Sequence, residues 1–408
     1  MIACLNKAKK LSSHLIPAVL AFDSRHSVGR RYNFDFAHGR LDCPAHMNVT
    51  RSCVFYKVFS YVFAKLRSIN LFCFLIVLCL PVIVVYTMQE QQYYKQTKKF
   101  GLIKTFLTGA GGYIGLHILR ELLDAQHQVT ALVRSKEKLG PFSGHPQLQI
   151  IEMDLQDEAG IAQALLGHNI CIHAALLWGD SGSELEMRDI AAAAKLFEAA
   201  GRAGLARCIY LSSVAVHRPF IGEMNEGDPL SATDFYGATK AAGELFLKAS
   251  CARYPMAGIV VRPGPVVGPP AFPEGSFGSH NLISEMISAA AMNRPIEVLH
   301  GDGRQFIDVK TVAKLVRLLT ILENPHPAYL CADHDIITWE KVAQLVVKSL
   351  NSSSEVHVLP SDPDQSPSYF RTDRFEQLLG HISDSKLALL DHIHHLARIL
   401  MERISKLP

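Results

Sequence analysis

The chain has 408 residues, 49% of them hydrophobic and 19% charged, which supplies a large buried core and more length than one average domain needs. The formal net charge is only +3 and no long lysine or arginine block occurs, so a nucleic-acid surface is excluded from expectation. Cys4, Cys43, Cys53, Cys73 and Cys79 fall in the first hundred residues, and Cys171, Cys208, Cys251 and Cys331 are scattered without a CxxC pair. That pattern points to a reduced compartment, no zinc site, and thiols that act as small hydrophobes.

Residues 1–100 form an N-terminal extension unlike the rest, mixing basic, histidine and aromatic residues without periodicity. Within it Leu71–Tyr86 is an unbroken apolar run, and with Ile69 and Met88 at its edges it approaches the about 20 residues a bilayer-spanning helix needs. A single membrane anchor over 69–88 is the first reading. Lys57, Lys65 and Arg67 before it balance Lys95, Lys98 and Lys99 after it, so charge does not set an orientation. A short interfacial hairpin is a second reading; a natural start at Met88, which would make everything upstream a misassigned leader, is a third. Asn48-Val-Thr50 and Asn351-Ser-Ser353 fit the glycosylation pattern, which is too common to count without a secretory route.

From Gly101 short apolar strands alternate with helical segments, the signature of an α/β, doubly wound parallel sheet. A strand through Phe106-Leu107 enters a glycine-rich turn, and Leu116, Ile118, Leu119, Leu122 and Leu123 then recur with helical spacing. Gly109, Gly112 and Gly115 suit a backbone that turns tightly, approaches a pyrophosphate and lets helix pack on strand. The helix N-terminus offers its free N–H groups to the phosphates. After a second strand, Val129–Val133, the position that often carries an acid for a free ribose hydroxyl holds Arg134-Ser135. A guanidinium suits a 2′-phosphate, so NAD(P), with NADP(H) favoured, is the expected cofactor. A third strand over Ile150–Leu155 ends with Asp154, set to accept from an adenine amino group. A fourth, Ile170–Ala175, ends in Ala174 and Ala175, small enough for a nicotinamide ribose to approach, with His173 read as structural. A helix over Ile190–Ala203 and a fifth strand, Cys208–Ser213, follow.

Tyr236 and Lys240 begin a helix continued by Ala241, Ala242, Leu245 and Phe246, so the two lie four apart on one face. A phenol with an ordinary pKa of about 10 is a poor base at neutrality, and a neighbouring ammonium favours its ionised form. Ser213, at the end of a strand, can hydrogen-bond the same substrate oxygen.

In this order the motifs resemble the extended short-chain dehydrogenase/reductase superfamily, in its NAD-dependent epimerase/dehydratase group. The matching stretches are Thr108-Gly-Ala-Gly-Gly-Tyr-Ile-Gly115, Asp154-Leu155, His173-Ala-Ala175, Ser213 ahead of Val216, Tyr236 with Lys240, and Arg262-Pro-Gly-Pro-Val-Val-Gly-Pro269. The resemblance runs from about Ile103 to at least Val312 and implies a Rossmann-type sheet. It implies that Ser213, Tyr236 and Lys240 are catalytic and that Thr108, Gly109, Gly112, Tyr113, Ile114, Gly115, Arg134, Asp154, Leu155, Ala174, Ala175, Tyr236, Lys240 and Pro263 hold the dinucleotide. Asn281 and Arg304, with Ser213, would contact a nucleotide-sugar substrate, Arg304 by charge-assisted bonds to its diphosphate. Departures are Asp189 for an Asn, Val214-Ala215 for the Asp-Glu of sugar dehydratases, His217 for a Tyr, Gln305 for an Asp, and Lys310-Thr311 for an acidic pair. Without the Asp-Glu pair, elimination of water has no evident proton donor.

Residues 266–408 are read as mainly substrate-binding, with 301–322 a stretch that returns to the 101–265 Rossmann core. Helices are expected over Val312–Leu322 and Thr338–Leu350, then a Pro/Ser-rich loop around 360–368 and an amphipathic segment through Leu389, Ile393, Leu396, Leu400 and Ile404. His392, His394 and His395 are read as its polar face and not as a metal site. Hydride transfer between a secondary alcohol carbon and nicotinamide is the implied chemistry, giving epimerisation if the cofactor stays and net reduction if it exchanges. An NADPH-dependent reductase of a non-sugar ketone, as in the flavonol and sterol branch, is the alternative enzyme. A non-catalytic nucleotide-binding scaffold or redox sensor is the alternative class. A homodimer through the helix bearing Tyr236 and its neighbour, and a cytoplasmic catalytic domain attached at 69–88, complete the expectations.

Overall fold

The computed structural model describes residues 34–35, 40–41, 102–176, 184–278, 280–361, 368–380 and 385–404. It divides into two units, Met1–Glu90 and Gln91–Pro408. In the first, Phe34–Asp35 pairs antiparallel with Arg40–Leu41. The candidate anchor over 69–88 lies outside the described residues, and among those described no helix is long and apolar enough to cross a membrane.

The second unit is built on a parallel sheet of seven strands. In chain order they are β1 Lys104–Thr108, β2 Gln128–Val133, β3 Leu148–Glu152, β4 Ile170–His173, β5 Arg207–Leu211, β6 Ala257–Pro263 and β7 Ala328–Cys331. Their spatial order is β3-β2-β1-β4-β5-β6-β7, so the winding reverses between β1 and β4. Four of the five β1 residues and all four of β4 are buried, which is why these strands read as apolar runs and not as alternations. Helices α1 Tyr113–Asp124, α2 Glu158–Ala164, α3 Glu184–Arg202 and α4 Phe235–Arg253 provide the early connections. The later ones are α5 Asn281–Ala291, α6 Val309–Leu319, α7 Trp339–Leu350, α8 Asp373–Leu379 and α9 Ser385–Ile404.

Two faces of the sheet carry two cores. Leu116 and Leu119 of α1 meet Val312 and Val316 of α6 in one, and Glu121 and Arg317 add an ion pair at 3.2 Å. Phe197 of α3 and Leu247 of α4 pack with Phe106 and Tyr210 in the other. A third core, away from the sheet, joins α5, α7 and α9 around Ile287, Val342 and Ile393, beside the parallel pair Ile296–Leu299 and Val356–Leu359. Gln305, the residue replacing an Asp, is buried and knits this region to the sheet: its amide donates to the Asp333 and Phe370 carbonyls at 2.9 and 3.0 Å and accepts from the Phe370 N–H at 2.6 Å.

Several boundaries differ from the sequence reading. β3 stops at Glu152 because Asp154 turns the chain, its Oδ1 accepting from the Gln156 N–H at 2.8 Å. β4 ends at His173, before Ala174, and β5 at Leu211, before Ser213. α3 starts earlier than Ile190, so Asp189 sits inside the helix and is buried. The sheet also takes β7 from beyond residue 322, in register with β6.

The C-terminal histidines need a larger correction. His392 is fully buried between Phe277 and His280, its Nδ1 3.3 Å from the Gly268 carbonyl, while His394 is exposed and His395 packs at a tilt against Phe277. Only part of the trio forms a polar face, because α9 docks on the segment that follows β6. Among the described residues no group of histidine, cysteine or acidic side chains is placed to hold a metal ion.

Burial holds four histidines neutral: His117 and His127 are pushed down to about 4, and His173 and His392 to about 3. In the unfolded chain each titrates near 6.5, so the unfolded state takes up protons first as pH falls. Stability is therefore full above about pH 6.5 and declines between there and about pH 4, by up to about 1.4 kcal/mol per pH unit for each histidine. Denaturant melts at about pH 8, 6.5 and 5.5 check this; a flat profile over that range contradicts it.

Candidate functional site

The carboxyl ends of β1 and β4 meet where the sheet reverses direction, the crevice in which open α/β sheets bind ligands. Gly109 turns the chain there with φ +71°, and a Cβ on it would lie 2.5 Å from the backbone of Ala174 and Ala175. The Gly112 N–H donates to the Gly109 carbonyl at 2.9 Å, and α1 begins with no side chain capping it. An uncapped helix start beside two small residues fits a dinucleotide pyrophosphate.

The other expected cofactor residues divide. The Tyr113 phenol donates to the Gly268 carbonyl at 2.8 Å and its ring packs on Phe277, so its side chain holds the segment after β6 and only its backbone is left for a phosphate. Ser276 Oγ from that segment donates to the Gly111 carbonyl at 2.5 Å, lacing it to the glycine turn. Thr108 Oγ1 pairs with His173 Nδ1 at 2.7 Å; Ile114 is half-buried in the core, and Gly115 lets α1 pack against the turn. Arg134 is exposed at the end of β2, followed by Lys136 and Lys138. Asp154 is exposed beyond β3 with one oxygen committed to its own turn, Leu155 is buried, and Pro263 closes β6 opposite Cys331.

The structure brings Ser213 and Tyr236 together. Ser213 caps a tight 3₁₀ turn, Val214–His217, its Oγ accepting from the Ala215 N–H at 3.1 Å, and it hydrogen-bonds the Tyr236 phenol. Asp234 caps α4, accepting from the Gly237 N–H at 3.0 Å, and this orients Tyr236 in the first turn. Burial pushes the phenol up; the Ser213 bond and the Arg218 guanidinium pull it down, and Asp189 and Asp234 raise it.

Lys240 departs from the expected electrostatics. Its buried ammonium donates to the Leu211 carbonyl at 2.9 Å and lies 5.0 Å from the centre of the Tyr210 ring. Burial lowers its pKa, with Asp189 and Glu244 opposing. A cation that does act on Tyr236 is Arg218, which pairs with Asp234 at 3.0 Å. A four-residue helical spacing predicted a shared face, not the partner the ammonium takes once buried.

Asn281 is exposed as the first residue of α5. Arg304 folds back on its own turn, paired with Asp302 and lying 5.7 Å from the Trp339 ring centre. Neither is hydrogen-bonded to Ser213 or Tyr236.

A buried network behind the reacting pair was missed in the sequence. The Arg262 Nε and Nη2 donate to Glu244 Oε1 and Oε2 at 3.0 and 2.7 Å, and Ser212 Oγ donates to the same Glu244 Oε1 at 2.5 Å. Glu244 follows Lys240 by four residues, so helical spacing already set it on the same face of α4.

A family model described as the NAD dependent epimerase/dehydratase family matches residues 105–329. An uncharacterized UDP-glucose epimerase of Bacillus subtilis is 26% identical over 243 residues, 55% of this chain and 74% of that protein. The dTDP-D-glucose 4,6-dehydratase of Mus musculus is 25% identical over 273 residues, 62% of this chain and 75% of that protein. Among solved structures, UDP-N-acetylglucosamine 4-epimerase from Methanobrevibacter ruminantium, in complex with UDP-N-acetylmuramic acid, superimposes with a TM-score of 0.59 at 24% identity, covering 74% of this chain and 99% of that one. Bordetella bronchiseptica WbmH in complex with NAD+ gives 0.61 at 21%, covering 74% and 99%. At these identities the superpositions speak to the fold alone.

Proposed function

The chain belongs to the NAD dependent epimerase/dehydratase family, and from that premise we propose that it moves hydride at a secondary alcohol or ketone carbon of a nucleotide sugar. The observation that carries this reading is the Ser213–Tyr236 hydrogen bond at the carboxyl ends of the central strands, beside an uncapped helix start. A bound nicotinamide supplies the hydride acceptor or donor. Tyr236 takes or returns the hydroxyl proton, and Ser213 orients the substrate oxygen by donating to it. Lys240, one helical turn after Tyr236, would hold the cofactor ribose with an N–H beyond the one it gives Leu211. Gly109, Gly112 and Gly115, with the backbone of Tyr113 and Ile114, would receive the pyrophosphate. Asp154 would take the adenine amino group, and Ala174, Ala175 and Pro263 would line the nicotinamide end. Asn281 and Arg304 serve the sugar nucleotide, Arg304 after exchanging Asp302 for a diphosphate oxygen.

Val214 and Ala215 are buried and non-acidic after Ser213, which favours epimerisation over water elimination. Incubating the protein with NAD+ and UDP-glucose or UDP-N-acetylglucosamine, and following the sugar protons by NMR, tests the proposal: the expected product is the epimer at the oxidised carbon. Unchanged nucleotide sugars, together with NADPH consumption on a non-sugar ketone, would transfer the assignment to the reductase reading.

The exposed Arg134, followed by Lys136 and Lys138, supports a preference for NADP(H). Arg134→Ala is expected to weaken NADPH binding about tenfold, as loss of a charge-assisted phosphate contact does, and to leave NADH binding within about twofold. Calorimetric titration with both cofactors reads the difference, and equal losses for both would remove the preference. Met187 of α3 and Phe235, Leu245 and Phe246 of α4 are exposed, which supports a homodimer through these helices; light scattering on Phe246→Glu checks it. The apolar run at 69–88 supports membrane attachment of the chain, checked by carbonate extraction from membranes; a cytoplasmic side for the catalytic domain is part of the same proposal, checked by protease protection of sealed vesicles.

A further inference from the structure

The short turn between Ser213 and Arg218 is tied at both ends to one buried ion pair. At its start, Ser212 Oγ donates to Glu244 Oε1 at 2.5 Å, fixing the backbone just past β5 that leads into Ser213. At its finish, Arg262 Nη1 lies 3.1 Å from His217 Nε2 and also donates to the Glu226 carbonyl at 3.0 Å. Arg262 and Glu244 join the two ends through their bidentate contact, and Ser212, His217, Glu244 and Arg262 are all buried.

The chemistry of the donors fixes the state of His217. A guanidinium has no acceptor, so Nε2 must be the unprotonated nitrogen. Nδ1 then carries the hydrogen and donates to the Pro229 carbonyl, 3.1 Å away. Only the neutral Nδ1–H tautomer makes both bonds. Adding a proton at Nε2 sets two cations against each other and cuts the tie to Arg262.

We propose that His217 is a positioning residue whose neutral tautomer locks the 213–218 turn onto the Arg262–Glu244 pair, and that protonation unlocks the turn, withdrawing Ser213 and Arg218 from Tyr236. This rests on the reading of Ser213 and Tyr236 as the reacting pair. The groups facing the imidazole are Arg262 from β6, Glu244 from α4, and Asp228 with the Pro229 carbonyl from the loop before α4. Burial and then Arg262 hold the imidazole below its ordinary range, while Pro229, Glu244 and Asp228 oppose them. A depressed value means that the lock is shut at neutrality and opens only at a pH lower than the ordinary histidine range around 6.5.

The test uses the whole chain. In the wild type kcat with UDP-glucose is expected to hold from about pH 7.5 down to about pH 6.5 and to fall on the acid side of that, by about tenfold once His217 is protonated, with KM nearly constant. His217→Ala is expected to be roughly tenfold slower throughout. His217→Gln keeps an acceptor for Arg262 and a donor for Pro229 but cannot titrate, so it should recover most of the alanine variant's loss and hold its kcat into acid. An acid limb in His217→Gln identical to the wild type overturns the proposal. Nitrogen-15 NMR of the labelled protein decides the matter independently of turnover. The Ser213 amide should shift with the His217 midpoint in the wild type and stay still in His217→Gln; a hydrogen on Nε2 at neutral pH, or a Ser213 amide indifferent to His217, also overturns it. If UDP-glucose and UDP-N-acetylglucosamine are untouched at every pH, the functional reading fails while the NMR result still judges the lock.

Discussion

Tyr236→Phe lowers kcat roughly a thousandfold, the central value for removing a positioned acid/base, and leaves cofactor affinity within about twofold. The asymmetry follows from where the oxygen sits. The ring stays half-buried in the first turn of α4, so packing hardly changes, and the glycine turn proposed for the cofactor lies at the start of α1, on a different element. What disappears is the hydroxyl that Ser213 hydrogen-bonds. Neither Tyr210 nor His173 can replace it: Tyr210 is fully buried with its own pKa pushed up by burial, and His173 is buried, pushed down to about 3 and tied to Thr108. Steady-state rates with a nucleotide sugar, together with NADH binding by fluorescence, make the comparison. Activity equal to the wild type would remove Tyr236 from the mechanism, and a parallel loss of cofactor binding would show that its role is structural.

Reading the chain in one dimension succeeds where a local pattern and a global need coincide. Phe106 and Leu107 are fully buried because a central parallel strand is covered on both faces, so the run is apolar without alternation. Tyr236 and Lys240 show their helix because α4 packs one face on the sheet. Reading fails where the partner is remote. Lys240 finds the Leu211 carbonyl across 29 residues of chain, and Arg262 finds Glu244 across 18, neither visible in any window of helical spacing. The exposure of His392 was misjudged for a related reason. A polar residue on an amphipathic helix is exposed only if nothing covers that face, and here the segment after β6 does. Arg304 shows the same limit from the other side: its motif was recognisable, but the fold satisfies the guanidinium with Asp302 and the Trp339 ring.

The second large effect tests whether the glycine spacing is structural as well as functional. Gly115→Ala is expected to cost on the order of 4 kcal/mol and to lower the unfolding midpoint by roughly 10 °C. Gly115 has an ordinary helical conformation, so the cost is not backbone strain. It arises because a Cβ there would stand 1.9 Å from the Gly109 carbonyl oxygen and 3.1 Å from the Ala110 Cα. Main-chain atoms cannot rotate aside as a side-chain tip can, and Gly109 is itself fixed by its close approach to Ala174. Relief therefore requires α1 to move away from the turn, which separates Leu116 and Leu119 from Val312 and Val316 of α6 and draws the helix start away from the proposed pyrophosphate site. Gly144→Ala is the control, since nothing lies within 4 Å of its added methyl. Calorimetric melts with and without NADH separate the two contributions: a loss of midpoint in the free protein together with a lost cofactor-induced rise is expected for Gly115→Ala and neither for Gly144→Ala. A stable Gly115→Ala protein with normal cofactor binding would mean that the helix can slide along the sheet without consequence, which the packing of α1 against α6 forbids.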